Sequence, residues 1–166
     1  MKETFAQNVK HKIAKTGNTV MVVDDDLPAR RLVSRTIEKF SPDVTIIEAL
    51  NGKEALKKLR EMRDKGGGDP LLIVTDLNMP IMDGWELIAE LKQDYESRGK
   101  RQGIPIIALS STSGEKGILF MRQSVHRRKS SYSPIISVAK EYCLDSSRYD
   151  ASGPHGLEAW LEFFLQ

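Results

Sequence analysis

The sequence predicts an α/β fold: a parallel sheet with helices packed on both of its faces. Two observations predict it. Short, continuous apolar runs alternate with stretches whose apolar residues recur at helical spacing, the pattern of a sheet crossed repeatedly by helices. Two of those runs also end in acid: Thr19-Val20-Met21-Val22-Val23 leads directly into aspartate, and Leu71-Leu72-Ile73-Val74 reaches Asp76 one residue later. In an open parallel sheet, the strand ends are where ligands bind.

Taken in order, the first run is apolar without alternation, as expected of a strand buried on both faces. Pro28 then suits the first turn of a helix, with Asp26 as its N-cap and Val33, Ile37 and Phe40 on its inner side. Val44-Thr45-Ile46-Ile47 reads as a second strand. Asn51-Gly52 turns the chain into a helix lined by Ala55, Leu56, Leu59 and Met62, which Gly66-Gly67-Gly68 ends. Leu71 to Val74 is the third strand, running on to Asp76, and Trp85, Ile88 and Leu91 mark the third helix. Ile104 to Leu109 is the fourth strand, with Pro105 near its start, where a strand tolerates proline. Ile118, Leu119, Arg122 and Val125 suggest a fourth helix, and Ile135 to Ala139 a fifth strand. Leu157, Trp160, Leu161 and Phe164 give a last amphipathic helix.

Length and composition narrow the function. The 166 residues suit one domain, here 19–166, preceded by an N-terminal extension over 1–18. Phe5, Val9 and Ile13 in that extension recur every fourth position, but its polar, basic character reads as a frayed leader. A net charge of +2 argues against a dedicated nucleic-acid binder. The single cysteine, Cys143, cannot form an internal disulfide, which fits a reducing, cytoplasmic setting, and it reads as an ordinary core or surface residue. No apolar run reaches the roughly 18 residues a membrane helix needs, so no membrane partner is expected. His126 to Ser131 reads as a solvated helix end and loop. His11, His126 and His155 lack metal-ligand spacing, and Gly114-Glu115-Lys116-Gly117 lacks the pattern of a phosphate-binding loop.

The chemistry sits in the aspartates. Asp24, Asp25 and Asp26 follow the first strand and Asp76 ends the third. If these strands are neighbours, at least three carboxylates meet in one small site. Two such charges about 4 Å apart repel by roughly 4 kcal/mol at an effective dielectric near 20. The site therefore needs a proton or a cation, and oxygen ligands with room for water suit Mg²⁺.

Three stretches carry a resemblance to a known family. Val22-Val23-Asp24-Asp25-Asp26, with Arg30 beyond, resembles the opening of a response-regulator receiver domain. Glu48-Ala49-Leu50-Asn51-Gly52-Lys53-Glu54-Ala55-Leu56 resembles its second strand and helix. Thr75-Asp76-Leu77-Asn78-Met79-Pro80-Ile81-Met82-Asp83-Gly84 resembles its phosphorylation loop. The resemblance is clear over residues 19–112 and weakens over 113–166. It implies a flavodoxin-like, doubly wound sheet of five parallel strands in the order 2-1-3-4-5, with an atypical C-terminal third. It further implies that Asp76 accepts a phosphoryl group and that Asp24, Asp25, Asp76 and the backbone carbonyl of Asn78 hold Mg²⁺. Ser110, ending the fourth strand, would turn its hydroxyl toward the phosphoryl group. A lysine after the fifth strand would complete the site.

That lysine is the point of departure from the family pattern. Lys140 follows the fifth apolar run but lies 140 − 110 = 30 residues beyond Ser110 and precedes Glu141 in place of proline. Lys129 and Lys116 are weaker alternatives, and the family's switch aromatic would fall on Ser137. The resemblance implies a cytoplasmic protein of a two-component system rather than a metabolic enzyme. Its partners would be a sensor histidine kinase or phosphotransfer protein upstream and another protein downstream, with no direct contact to nucleic acid. A degenerate receiver, an interaction module independent of phosphorylation, is the alternative.

Overall fold

The computed structural model describes residues 18–110, the strand at 135–139 and Leu161. The elements run β1 (Thr19–Val23), α1 (Leu27–Phe40), β2 (Thr45–Ala49), α2 (Gly52–Asp64), β3 (Leu72–Asp76), α3 (Gly84–Ser97), β4 (Ile106–Ser110) and β5 (Ile135–Ala139). The five strands form one sheet in the order β2-β1-β3-β4-β5, every neighbouring pair parallel. This is the strand order expected of the doubly wound fold.

Strands β1, β3 and β4 are apolar on both sides because each side meets a different layer. Met21, Val23, Ile73, Ile106 and Ala108 pack with Ala55 and Leu59 of α2 and with Leu87, Ile88, Leu91 and Tyr95 of α3. The intervening residues Val20, Val22, Leu72, Val74, Ile107 and Leu109 pack with Val33 and Ile37 of α1 and with Leu161. Leu161 is helical and fully buried in the second layer, while Leu157, Trp160 and Phe164 of the predicted last helix lie outside the described residues. Full burial of such a side chain is worth about 1.5–3 kcal/mol.

The helix starts follow the local chemistry. Asp26 caps α1 by accepting from the Ala29 N–H at 3.1 Å, with Pro28 in the first turn. Asn51 caps α2, accepting from the Glu54 N–H at 2.9 Å. Asp83 and Glu86 form a reciprocal capping box at the start of α3. After α2, Gly66 takes a positive φ of 76°, the left-handed turn that glycine permits at a helix end.

Three expectations shift. The second strand is Thr45–Ala49, displaced toward the site relative to the predicted Val44–Ile47, because β2 pairs with β1 up to Val23↔Ala49. The fourth strand starts at Ile106 rather than Ile104, and Pro105 instead offers its carbonyl to the Ile73 N–H at 2.9 Å. Trp85, grouped in the sequence with Ile88 and Leu91 as a marker of the third helix, is 42% exposed; α3 turns Leu87, Ile88, Leu91 and Tyr95 inward. The predicted fourth helix, the N-terminal extension and Cys143 lie outside the described residues.

Candidate functional site

Parallel strands all end on the same side, and β1 and β3 are direct neighbours in the sheet. Their register pairs Val23 with Thr75, so the residues that follow, Asp24 and Asp76, stand side by side. Carboxylate oxygens of Asp24, Asp25 and Asp76 all lie within 4.8 Å of one another. Asp24 and Asp76 are buried, at 1% and 6% exposure, while Asp25 faces solvent. Asp26, the fourth acid of the pair of motifs, is spent on capping α1.

The backbone around the cluster is tied down on every side. Asp24 donates its N–H to the Ala49 carbonyl at 3.1 Å and accepts on Oδ1 from the Asp26 N–H at 2.9 Å. Its own carbonyl accepts from Arg30 Nη1 at 2.8 Å. Asp76 Oδ1 accepts from the Leu77 N–H at 2.9 Å. Gly84 is packed so tightly beneath this loop that a Cβ there would overlap the Asp76 carbonyl oxygen and stand 2.8 Å from the Leu77 Cα. Its N–H bonds the Leu77 carbonyl at 2.9 Å, closing the loop at the start of α3. This backbone contact is what requires glycine here.

The same loop carries a strained turn. Ile81 has φ 72°, and the Met82 N–H bonds back to the Pro80 carbonyl at 2.8 Å, a γ-turn centred on a β-branched residue. Ile81 projects into solvent, 77% exposed. The Met82 carbonyl accepts from the Gly52 N–H at 3.0 Å, and the Met82 side chain occupies the space a Cβ on Gly52 would need. The loop is thereby latched to the start of α2. Met79 is buried in the core and Met82 packs against it.

Of the remaining predicted site residues, Asn78 lies exposed in the loop two residues past Asp76. Ser110 ends β4, one residue beyond Leu109, the register partner of Asp76, and pairs with Ala139 of β5. Lys140 comes next in sequence after Ala139 but lies outside the described residues, as do Lys116 and Lys129.

One group of residues has a role that residue type and spacing alone do not announce. Arg30, buried within α1, donates from Nε to Glu48 Oε2 at 2.9 Å, and Ser34 donates to Glu48 Oε1 at 2.9 Å. The Arg30 hydrogen bond, helped by Ser34 and the Arg30 charge, outweighs partial burial and holds the Glu48 carboxyl below the usual carboxylate value. Lys58 donates to the Glu48 carbonyl and pairs with Glu54 at 3.0 Å. The only signal in the sequence was an arginine six positions beyond Asp24 and a glutamate in the neighbouring strand.

The cluster and its fold meet known proteins at this point. A family model described as the response regulator receiver domain matches residues 20–124, and the chain belongs to that family. Chemotaxis protein CheY1 of Helicobacter pylori (strain ATCC 700392 / 26695) is 32% identical over 100 residues, covering 60% of this chain and 73% of that protein. The peroxide stress-activated histidine kinase mak1 of Schizosaccharomyces pombe is 25% identical over 119 residues, 72% of this chain but 7% of the kinase. The chain thus spans only a small part of several of the curated relatives it matches. Among solved structures, the phosphorylated cyanobacterial phytochrome response regulator RcpA superposes with a TM-score of 0.61 at 23% identity, covering 90% of this chain and 94% of that one. At that identity the likeness bears on the fold. Among the described residues, no helix is long and apolar enough to cross a membrane.

Proposed function

We propose that this receiver domain takes a phosphoryl group onto Asp76, assisted by Mg²⁺ in the acidic pocket, and signals by binding another protein. The observation that carries the reading is the set of three carboxylates, with oxygens within 4.8 Å of one another, two of them buried. Like charges so close are costly without a counter-ion. The donor set is all oxygen, the preference of a hard divalent cation. Asp24, Asp25 and Asp76 would hold the ion, together with the carbonyl of Asn78.

When bound, Mg²⁺ would neutralise charge between the acceptor carboxylate and an incoming phosphate. The protein's part is positioning. Asp76 is fixed at the end of a fully buried strand, with Oδ1 held by the Leu77 N–H, so its carboxylate meets the donor in a set orientation. A carboxylate oxygen of Asp76 forms the new O–P bond as the P–O bond to acetate, or the P–N bond to a donor histidine, breaks. Acetate or the imidazole departs with the bonding electron pair. Ser110, at the end of β4, supplies a hydroxyl for the new phosphoryl oxygens, and Lys140 supplies the cation that follows β5.

A histidine kinase or phosphotransfer protein is the upstream partner in this reading. It is supported by the match of this chain to a small part of two histidine kinases. The setting would be cytoplasmic. Intact-mass spectrometry after incubation with acetyl phosphate and Mg²⁺ tests the proposal. The wild-type chain should gain one phosphoryl group, and Asp76→Asn should gain none while keeping its circular dichroism spectrum. An unmodified wild-type chain would transfer the case to the phosphorylation-independent module, and a persistent gain in Asp76→Asn would move the acceptor elsewhere.

A further inference from the structure

We infer that Arg30 is a positioning residue for the acidic pocket, orienting the peptide between Asp24 and Asp25 while Glu48 cancels its charge. The inference rests on the metal site proposed above and adds to it the device that holds two of the ligands in place.

Asp24 and Asp25 are consecutive, so the peptide joining them sets the relative direction of both carboxylates. That peptide is planar, and fixing its oxygen fixes the orientation of the whole unit. The oxygen is held by Arg30 Nη1 at 2.8 Å. On its other side, Asp24 is tied by its N–H to the Ala49 carbonyl of β2. Arg30 is itself anchored, because Nε reaches Glu48 Oε2 at 2.9 Å and Glu48 is braced by Ser34 at 2.9 Å. The guanidinium therefore links three elements: the exit of β1, the interior of α1 and the edge strand β2. Its rigid fork is what allows two bonds in different directions from one side chain, a geometry that a lysine ammonium on a flexible stem does not reproduce.

Charge explains the partner. A charged arginine only 7% exposed requires compensation. An uncompensated cation beside three carboxylates would also offset part of the attraction that draws in a divalent ion. Glu48 answers both needs: the Arg30–Glu48 pair is neutral as a unit, and the pocket keeps its negative charge. Groups that orient a metal's ligands without touching the metal commonly change its affinity by about 10- to 100-fold when removed.

The test compares Mg²⁺ affinity with fold stability in the full chain. Isothermal titration with MgCl₂ is run on wild type, Arg30→Lys, Arg30→Met and Glu48→Gln, in the cold, where circular dichroism reports each folded. Thermal unfolding of the same samples in chelator measures stability separately. Arg30→Lys should bind Mg²⁺ about tenfold more weakly at that temperature. Glu48→Gln retains hydrogen-bonding groups but leaves the guanidinium charge uncancelled. It should bind Mg²⁺ several-fold more weakly, and the deficit should shrink in high salt. If Arg30→Met does not fold, Arg30→Lys decides. Wild-type Mg²⁺ affinity in Arg30→Lys, with only the melting temperature lowered, would make Arg30 a structural residue and overturn the inference alone. Absence of Mg²⁺ binding in wild type would remove the metal site and the inference with it.

Discussion

The two ends of β3 carry two charge clusters of opposite character. At its exit, Asp24, Asp25 and Asp76 bring three carboxylates together. Before its entrance, Asp69 meets Arg63 of α2, while Asp94 and Arg98 at the end of α3 join the same network. Arg63 donates from Nε to Asp69 at 2.6 Å and from Nη1 and Nη2 to the two oxygens of Asp94 at 3.1 and 3.0 Å. Two guanidiniums face two carboxylates, and the charges balance. The comparison separates two uses of ionic groups. A balanced network is complete within the chain and ties α2, α3 and the approach to β3 together. The cluster of carboxylates brings like charges together, and in the function proposed above a bound cation would offset their repulsion.

The largest effect is expected where the functional loop depends on backbone contact. Gly84→Ala would drive a methyl group into the Asp76 carbonyl and the Leu77 Cα. Overpacking against backbone, which cannot swing aside, should cost about 3 kcal/mol. Urea denaturation measures it, and a loss below about 1 kcal/mol would mean the loop adjusts freely and does not fix Asp76.

The balanced cluster should respond next. Burial pushes the Asp69 carboxyl upward, but the hydrogen bond and charge of Arg63, with those of Arg98 behind them, more than offset this and hold it below the usual carboxylate value. A carboxyl depressed in the folded state stabilises fully above its unfolded value near 3.8 and loses that contribution as pH falls through the lower folded value. Stability attributable to Asp69 should thus be flat above about pH 5 and decline below about pH 4. Asp69→Asn should cost about 1–3 kcal/mol at neutral pH and flatten part of the acid decline, as followed by thermal melts across pH. Unchanged acid sensitivity in the variant would place the relevant carboxylates elsewhere, with Glu48, held low by Arg30, the next to examine.

Much of this was legible in the sequence, for a definable reason. Runs such as Val20 to Val23 and Leu72 to Val74 are apolar at every position because both sheet faces are covered, and that property is local. Strand ends carrying aspartate were equally local, so Asp24, Asp25 and Asp76 could be grouped once the strands were taken as neighbours. Contacts between distant residues were not legible. Arg63 and Asp94 are 31 positions apart and on different helices, and nothing in their spacing joins them. Trp85 misled because apolar size suggested burial, whereas its place beside Gly84 at the first turn of α3 leaves it partly in solvent. The shift of β2 arose because an edge strand takes its limits from its single neighbour.

At the acidic end the sign of the effect should reverse. Asp76→Asn keeps an oxygen to accept from the Leu77 N–H but removes one of three like charges. Measured in chelator, the variant should be more stable than wild type by about 1–2 kcal/mol, a fraction of the few kcal/mol of repulsion expected at this separation. Added Mg²⁺ should raise the wild-type melting temperature and leave that of the variant nearly unchanged. A variant less stable than wild type in chelator would mean that the three carboxylates are not in net repulsion, and the contrast between the two ends of β3 would fail.

The smallest effect tests how the balanced cluster divides its work. Arg98 reaches Asp69 at 3.2 Å and Asp94 at 3.3 Å through the same Nη2, so it duplicates contacts that Arg63 already makes with three nitrogens. Its side chain is also the most exposed of the four, at 37%. Exposed ion pairs are screened by water and contribute little, typically under about 1 kcal/mol. Arg98→Ala should therefore cost about 0.5 kcal/mol in low salt and less still near 1 M salt, where charges are screened over about 3 Å. Arg63→Ala removes the shared centre and should cost several times more, since it strands Asp69 and Asp94 together with only Arg98 between them. Equal losses from the two arginines, each insensitive to salt, would show that the cluster has no centre and that exposure does not rank its members.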